Sequence, residues 1–234
     1  MSGYTTQISD ILYTINGCDI MHKFKISTNP YEYGEYGKIY LKPEVTIKSG
    51  ITVLVGCNGS GKTTFLNLIE NDLQNDSDAA VLHYDNLHEG GEKAKGDAGL
   101  RDDFSLLATL VQSSEGEQIV MNLGTTARKI GVFVHKNASN HKEIWVLLDA
   151  IDSGLSVDNI ENVKTNLFAT IIRDFEKIES CEVYIIVSAN SYEFCRSSNC
   201  FDVRSGEYIQ FKDYEDYRKF IFQSAEDKHK RYSQ

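Results

Sequence analysis

The sequence contains little that would keep a chain extended or anchor it in a membrane. It has only 2 prolines among 234 residues, and no apolar stretch approaches the roughly 18 residues needed to span a bilayer. The opening residues, MSGYTTQISDILYT, lack the basic and apolar regions of a signal peptide. These absences predict a compact cytoplasmic protein that does not insert into a membrane.

Paired cysteines and an excess of positive charge are also missing. The 5 cysteines are odd in number and include no C-x-x-C pair, which favours reduced thiols over a disulfide framework or a zinc site. The formal net charge of -10 gives no overall electrostatic attraction to nucleic acid or anionic lipid. Contact with DNA would therefore need a local basic groove.

A glycine-rich segment carries the clearest chemical signal. Gly56, Gly61, Lys62 and Thr63 fit the pattern G-x-x-x-x-G-K-[ST], in which backbone N–H groups and a helix N-terminus close around phosphate. Lys62 would contact the β- and γ-phosphates, Thr63 would offer its hydroxyl to Mg²⁺, and Thr64 would bind a phosphate oxygen. The pattern thus predicts ATP and Mg²⁺ as ligands. The predicted nucleotide-binding residues of this loop are Gly56, Asn58, Gly59, Ser60, Gly61, Lys62, Thr63 and Thr64.

Apolar runs on both sides of this loop indicate the fold class. Buried strands are predicted at 51–55, 80–84, 144–148 and 183–187, with helices from about 62 and over 160–175. A loop at 86–103 leads into a helical stretch at about 104–111, and a hairpin turning at Ser205 and Gly206 precedes a terminal helix. Strands that alternate with helices predict an α/β sheet with its ligand at the carboxyl ends of the strands.

One acidic residue is placed to serve this ligand site. Asp149 directly follows the apolar run 144–148, so its carboxylate would lie at the sheet edge that faces the glycine-rich loop. It is the predicted second partner of Mg²⁺, held through water.

Four segments resemble the motifs of ABC-type ATPases, and they follow one another in that family's order. GCNGSGKTT is similar to the Walker A loop, SSEGEQ (113–118) to the signature, LLDAIDSGLS (147–156) to Walker B with the D-loop, and VYIIVSAN (183–190) to the strand before the switch. The resemblance covers about residues 38–210.

The fold that the resemblance implies is α/β, a P-loop NTPase of ABC type. Its central sheet is mainly parallel, with an antiparallel β part near the N-terminus and a small helical subdomain. Residues 1–234 would form one ATP-binding domain, in which about 86–135 are the loop and the helical subdomain that carries the signature.

The resemblance also implies a homodimer that forms when ATP binds. Each ATP would lie between the Walker A loop of one chain and the signature of the other, contributed by Ser114, Gly116 and Glu117. Asn86 stands where the family places a Mg²⁺-sensing glutamine, so the implied metal residues are Thr63, Asp149 and Asn86. A tyrosine ahead of the loop would stack on adenine. The candidates are Tyr31, Tyr33, Tyr36 and Tyr40.

Two catalytic positions depart from the family pattern. Ala150 stands where a glutamate polarises the attacking water, and Asn190 stands where the family has the switch histidine. Ala150 is explained either by a naturally slow, switch-like ATPase or by replacement of a glutamate to trap the ATP-bound dimer. Asp152 is a substitute base or a D-loop contact to the partner chain. Either explanation of Ala150 implies that ATP binds and is hydrolysed slowly or not at all.

Three uses of ATP follow from these features. The S-x-G-E signature and the missing switch histidine favour a soluble head like those of SMC-like, RecF-like and overcoming-lysogenisation-defect-like proteins, which acts on DNA or drives an effector partner such as a nuclease. The alternatives are the nucleotide-binding subunit of a membrane transporter and a non-hydrolysing ATP-sensing clamp.

Overall fold

The computed structural model describes residues 20–31, 37–86, 115–164, 168, 178 and 180–232, and for 115–125 and 232 it describes the backbone alone. The strands are β1 (Met21–Lys25), β2 (Glu44–Lys48), β3 (Gly50–Val55), β4 (Ala79–Asp85), β5 (Glu143–Asp149), β6 (Glu182–Ser188), β7 (Asn199–Asp202) and β8 (Glu207–Ile209). The helices are α1 (Lys62–Leu73), α2 (Glu115–Asn137), α3 (Val157–Val163), α4 (Tyr192–Cys195) and α5 (Tyr214–Tyr232).

Six strands form one mainly parallel sheet in the order β4-β5-β6-β3-β7-β8. All neighbours from β4 to β7 are parallel, and the outermost strand, β8, pairs antiparallel with β7. The carboxyl ends of β3, β4, β5 and β6 therefore meet at one edge of the sheet, where the glycine-rich loop and the segments after Asp85, Asp149 and Ser188 lie.

A second, two-stranded sheet joins β1 to β2 in antiparallel register. It confirms the antiparallel β part expected near the N-terminus, although the sequence pattern does not identify β1 itself. The mainly parallel central sheet is confirmed as well, and together they give the predicted α/β fold class.

Side chains cover both faces of the parallel sheet. In β5, Ile144, Val146 and Leu148 join a core cluster with residues of α2, α3, α4 and α5, whereas Trp145 and Leu147 join a cluster with α1 and the β1–β2 sheet. Successive side chains of a strand point to opposite faces, so an uninterrupted apolar run is what a doubly covered parallel strand requires.

The terminal helix α5 has favourable ends. The N–H of Asp216 donates to Asp213 Oδ1 at 2.9 Å, which caps the first turn. Acidic residues lie in the first turn and basic residues, including Lys230, in the last turn, as the helix dipole favours. Tyr217 anchors α5 in the core cluster of the parallel sheet.

Most elements expected from the sequence are confirmed. The four predicted strands correspond to β3, β4, β5 and β6, and the hairpin turn at Ser205 and Gly206 joins β7 to β8. The helix expected over 160–175 is described as α3, and the loop at 87–103, the helical stretch at 104–111 and the end of the 160–175 helix lie outside the described residues.

The chemistry of the thiols is also as expected where the structure describes it. Cys57, Cys181, Cys195 and Cys200 are free thiols, and Cys18 lies outside the described residues. Among the helices described above, none combines the length and apolar content needed to cross a bilayer.

Candidate functional site

The glycine-rich loop connects β3 to α1 through backbone that only glycine adopts easily. Gly61 precedes α1 with φ 105°, and a Cβ there would lie 2.8 Å from Ile39 Cγ2. Tyr40 closes the loop on that side by donating its hydroxyl to the Gly61 carbonyl at 2.8 Å. The left-handed φ and the close neighbours explain why the pattern needs glycine at this position.

The opposite end of the loop is equally tight. Gly56 has φ 146°, and a Cβ there would lie 2.5 Å from Ser60 Oγ. Ser60 is buried, and its hydroxyl has no hydrogen-bond partner among the described residues. A buried hydroxyl without a partner inside a phosphate-binding loop suits a ligand that brings oxygen atoms.

Lys62, the first residue of α1, is folded back onto the loop that precedes it. Its side chain is 7% exposed, and Nζ donates to the carbonyls of Gly56 at 2.8 Å and Cys57 at 3.3 Å. Burial lowers the pKa of Lys62, while the charges of Asp152 and Asp149 act in the opposite direction. The ammonium group therefore lies inside the loop with carboxylates nearby, where it can exchange its carbonyl partners for phosphate oxygens.

The two threonines after Lys62 occupy different environments. Thr63 is exposed in the first turn of α1, where its side chain is open to a ligand. Thr64 Oγ1 lies 3.0 Å from the hydroxyl of Tyr31.

The structure separates the four candidate tyrosines for adenine. Tyr31 is 52% exposed and its hydroxyl contacts Thr64, so it lies beside the loop and remains open to solvent. Tyr40 is fully buried and packs on Phe65, so the expectation that it could stack on a base is wrong. Tyr33 and Tyr36 lie outside the described residues.

Asp149 ends β5 as a buried carboxylate. It is 2% exposed, and its Oδ1 has no hydrogen-bond partner among the described residues. A buried carboxylate oxygen that no donor satisfies fits a cation or its bound water, so the donor set agrees with Mg²⁺. The residues that would hold it are Asp149 and the hydroxyl of Thr63.

We expect Asp149→Asn to weaken the effect of Mg²⁺ on ATP affinity by about 10- to 100-fold, as is typical when a group that orients metal-bound water is lost. The apo protein should not be less stable, since an amide of similar volume replaces an unsatisfied buried charge. Titration calorimetry with and without Mg²⁺ and thermal unfolding measure both effects.

Asp202→Asn is the matched control for this prediction. Asp202 also ends a strand, but its oxygens accept from the N–H groups of Arg204 and Ser205. This variant should lower thermal stability and leave the Mg²⁺ effect intact. A normal Mg²⁺ effect in Asp149→Asn would contradict the metal role.

Asn86 connects the ends of β4 and β5. Its Nδ2 donates to the carbonyls of Ala150 at 3.1 Å and Ser153 at 3.3 Å, and its Oδ1 accepts from Tyr84 at 3.4 Å. Asn86 is 4% exposed, and these hydrogen bonds place it beside the segment that follows Asp149. Its role as a Mg²⁺ ligand stays a prediction.

Ala150 has left-handed backbone. Its φ is 50°, which costs an L-residue with a Cβ about 1 kcal/mol. The position is half-buried at the same sheet edge as Asp149. Strained backbone of this kind gathers at functional sites, because it aims a side chain that a relaxed conformation would turn elsewhere.

Asp152 is engaged within its own chain. Its Oδ2 accepts from the N–H groups of Asn190 at 2.7 Å and Ser191 at 2.6 Å, and its Oδ1 is buried without a partner in the described part of the chain. Burial raises the pKa of Asp152, and the two N–H donors oppose that shift. The turn after β5 is thus tied to the segment after β6.

Helix α5 contributes residues that the sequence reasoning did not identify. Ser224 Oγ accepts from the Cys57 N–H at 3.1 Å, and Lys228 Nζ donates to the Asn58 carbonyl at 2.8 Å. Tyr217 and Ser224 lie on one helical face, because a spacing of seven residues is two turns. The signal in the sequence that could have indicated this contact is Ser224, a polar residue within a partly apolar helical stripe.

A cavity of about 310 Å³ lies between the loop and α5. Its lining residues are Gly56, Cys57, Asn58, Asn190, Tyr214, Tyr217, Arg218, Ile221 and Phe222. The structure therefore brings the predicted switch residue and the glycine-rich loop to one cavity, although they are far apart in sequence.

The signature residues are described only in part. Gly116 and Glu117 lie in the first turn of α2, where only the backbone is described. Helix α2 packs against β4, β5 and α3. Ser114 lies outside the described residues. Their contribution to a nucleotide site stays a prediction.

Comparison with known proteins agrees with this geometry. A family model described as ABC transporter matches residues 43–166, which is more than half of the chain. No curated protein matches the sequence.

Proposed function

The chain belongs to the ABC transporter family, and on that premise we propose that it is a dimerising ATP-binding head that hydrolyses ATP slowly. The observation that carries the proposal is the joint placement of buried Lys62 and the unsatisfied Asp149 carboxylate at one sheet edge. This arrangement provides a cation for phosphate and an anion for a metal ion within one site.

Each polar group has a role that its surroundings support. Lys62 neutralises phosphate charge, the N–H groups of the loop bind phosphate oxygens, and Asp149 and Thr63 hold a metal ion, with Asn86 as the third proposed metal residue. Mg²⁺, when bound, neutralises charge on the β- and γ-phosphates.

Slow hydrolysis follows from Ala150. A methyl group has no acceptor for a proton of the attacking water, and general-base assistance of this type is worth about 10²–10⁴-fold in rate. Asn190 can donate its amide to a γ-phosphate oxygen, but it does not titrate. The γ-phosphate should therefore persist after ATP binds.

We propose that a persistent γ-phosphate joins two copies of the chain. The loop of one copy would supply one half of each site, and Ser114, Gly116 and Glu117 of the other copy would supply the second half. The N-terminus of the helix that carries the signature can bind an anion. In a head-to-tail pair, each chain would offer this N-terminus to the nucleotide of the other copy and not to its own.

We expect ATP with Mg²⁺ to double the particle mass from 26.4 kDa, as measured by size-exclusion chromatography with light scattering. ADP should leave the mass unchanged, because it lacks the phosphate that both copies contact. Calorimetry on the same samples reports whether each nucleotide is bound.

Lys62→Met is the control in which neither nucleotide should change the mass. If the protein binds ATP tightly but stays a monomer, the dimerisation proposal is wrong and the nucleotide-site proposal stands. A dimer that forms equally with ADP would contradict the role of the γ-phosphate.

We propose that this head is cytoplasmic, forms one domain over 1–234 and acts with a protein partner such as a nuclease or other effector, with DNA as a further ligand. The S-x-G-E signature and Asn190 support this subtype. Stimulation of ATP turnover by DNA favours it, whereas copurification with a membrane protein favours a transporter subunit. Tight ATP binding with no turnover under any condition favours a non-hydrolysing clamp, which Ala150 also supports.

A further inference from the structure

The backbone of Asn190 is held from two sides. Its N–H donates to Asp152 Oδ2 at 2.7 Å, and its carbonyl accepts from the Tyr217 hydroxyl at 2.5 Å. Ser191 donates its N–H to the same Asp152 oxygen at 2.6 Å. Two elements that are remote in sequence, the turn after β5 and helix α5, therefore fix the two peptide groups that flank the Asn190 Cα.

Both holding groups are buried. Asp152 is 8% exposed and Tyr217 is 6% exposed, so water does not compete well for either hydrogen bond. Burial raises the pKa of Tyr217, which keeps its hydroxyl protonated as a donor. The Asn190 backbone is thus restrained by buried hydrogen bonds.

The Asn190 side chain, by contrast, is exposed and lines the cavity beside the loop. It shares this cavity with Gly56, Cys57 and Asn58, at the beginning of the phosphate-binding loop. With the backbone fixed, only side-chain rotation determines where the amide points. Such preorganisation makes an added hydrogen bond with a ligand cost little conformational entropy.

We propose that Tyr217 and Asp152 are positioning residues that hold Asn190 where its amide contacts the γ-phosphate, so that they set the preference for ATP over ADP. The inference rests on the proposed ATP-binding function and adds how the chain distinguishes the two nucleotides. Tyr217 also lines the cavity, but its hydroxyl is engaged by the Asn190 carbonyl, so it acts through Asn190.

The test is the ratio of ATP to ADP affinity, measured by titration calorimetry with Mg²⁺ at a protein concentration that keeps the chain monomeric. Tyr217→Phe should lower this ratio by about five- to tenfold and change ADP affinity by less than about twofold. Asn190→Ala should lower it by at least as much. The double variant should add little to Asn190→Ala, because the two residues act on one contact.

Tyr208→Phe is the matched control. The Tyr208 hydroxyl likewise bonds the backbone, accepting from the Lys48 N–H at 2.8 Å, and it lies 2.9 Å from Thr52 Oγ1; Tyr208 is not among the residues that line the cavity. This variant should lose thermal stability as Tyr217→Phe does but keep the wild-type ratio. Asp152→Asn gives a second test of positioning if Tyr217→Phe does not fold.

The outcomes distinguish failure of the positioning role from failure of ATP binding. If the wild-type protein binds neither ATP nor ADP, the proposed ATP-binding function is wrong. Normal ADP binding with an unchanged ratio in Tyr217→Phe would overturn the positioning role, and an unchanged ratio in Asn190→Ala would overturn the Asn190 contact as well, while ATP binding stands in both cases.

Discussion

Replacing Ala150 with glutamate is expected to raise the rate of phosphate release from ATP by about 10²–10⁴-fold, the range that a positioned general base contributes. The new carboxylate would accept a proton from the attacking water. Ala150 already has φ 50°, and glutamate and alanine both carry a Cβ, so the substitution adds no backbone strain. Phosphate release under saturating ATP and Mg²⁺ is the measurement.

Ala150→Gln is the control for this prediction, because it has the shape of glutamate without the charged acceptor. It should bind ATP and release phosphate as slowly as the wild type. Equal rates for the glutamate and glutamine variants would contradict the assignment of position 150 and favour the non-hydrolysing clamp.

Lys62→Met should reduce ATP affinity by about 100-fold or more. Hydrogen bonds to charged groups contribute about 1.5–3 kcal/mol each, and Lys62 is placed to make one with each of two phosphates. The substitution keeps the aliphatic length and removes a buried charge, so thermal stability without nucleotide should change little. Calorimetry with ATP and a thermal unfolding curve separate the two effects.

Lys23→Met is the matched control, since Lys23 lies in β1 with a largely exposed side chain paired to Glu44. Its loss should leave ATP affinity unchanged. Retention of ATP affinity within about threefold in Lys62→Met would contradict the phosphate-binding role of the loop.

Local patterns in the sequence were enough for the main features of the fold and the loop. The apolar run before Gly56 and the run before Asp149 have the length and continuity of doubly covered parallel strands, and both form such strands. Gly56 and Gly61 were identifiable because their left-handed conformations leave few alternatives to glycine.

The sequence was less informative where one residue type suits several environments. Four tyrosines precede the loop, and only burial shows that Tyr40 belongs to the core whereas Tyr31 is exposed beside Thr64. Asp152 was open to two roles from its position alone, and the structure shows that it binds the backbone of Asn190 and Ser191.

The sequence by itself determined that the chain has a phosphate-binding loop, a carboxylate at the end of a neighbouring strand and an α/β sheet to hold them, because each of these is specified by residues close together in the chain. Only the tertiary structure decided that helix α5 reaches back to the loop and to Asn190. Lys228 and Asn58 are 170 positions apart, and Tyr217 and Asn190 are 27 apart. Hydrogen bonds over such separations depend on how complete elements pack, and periodicity within one element does not encode that packing.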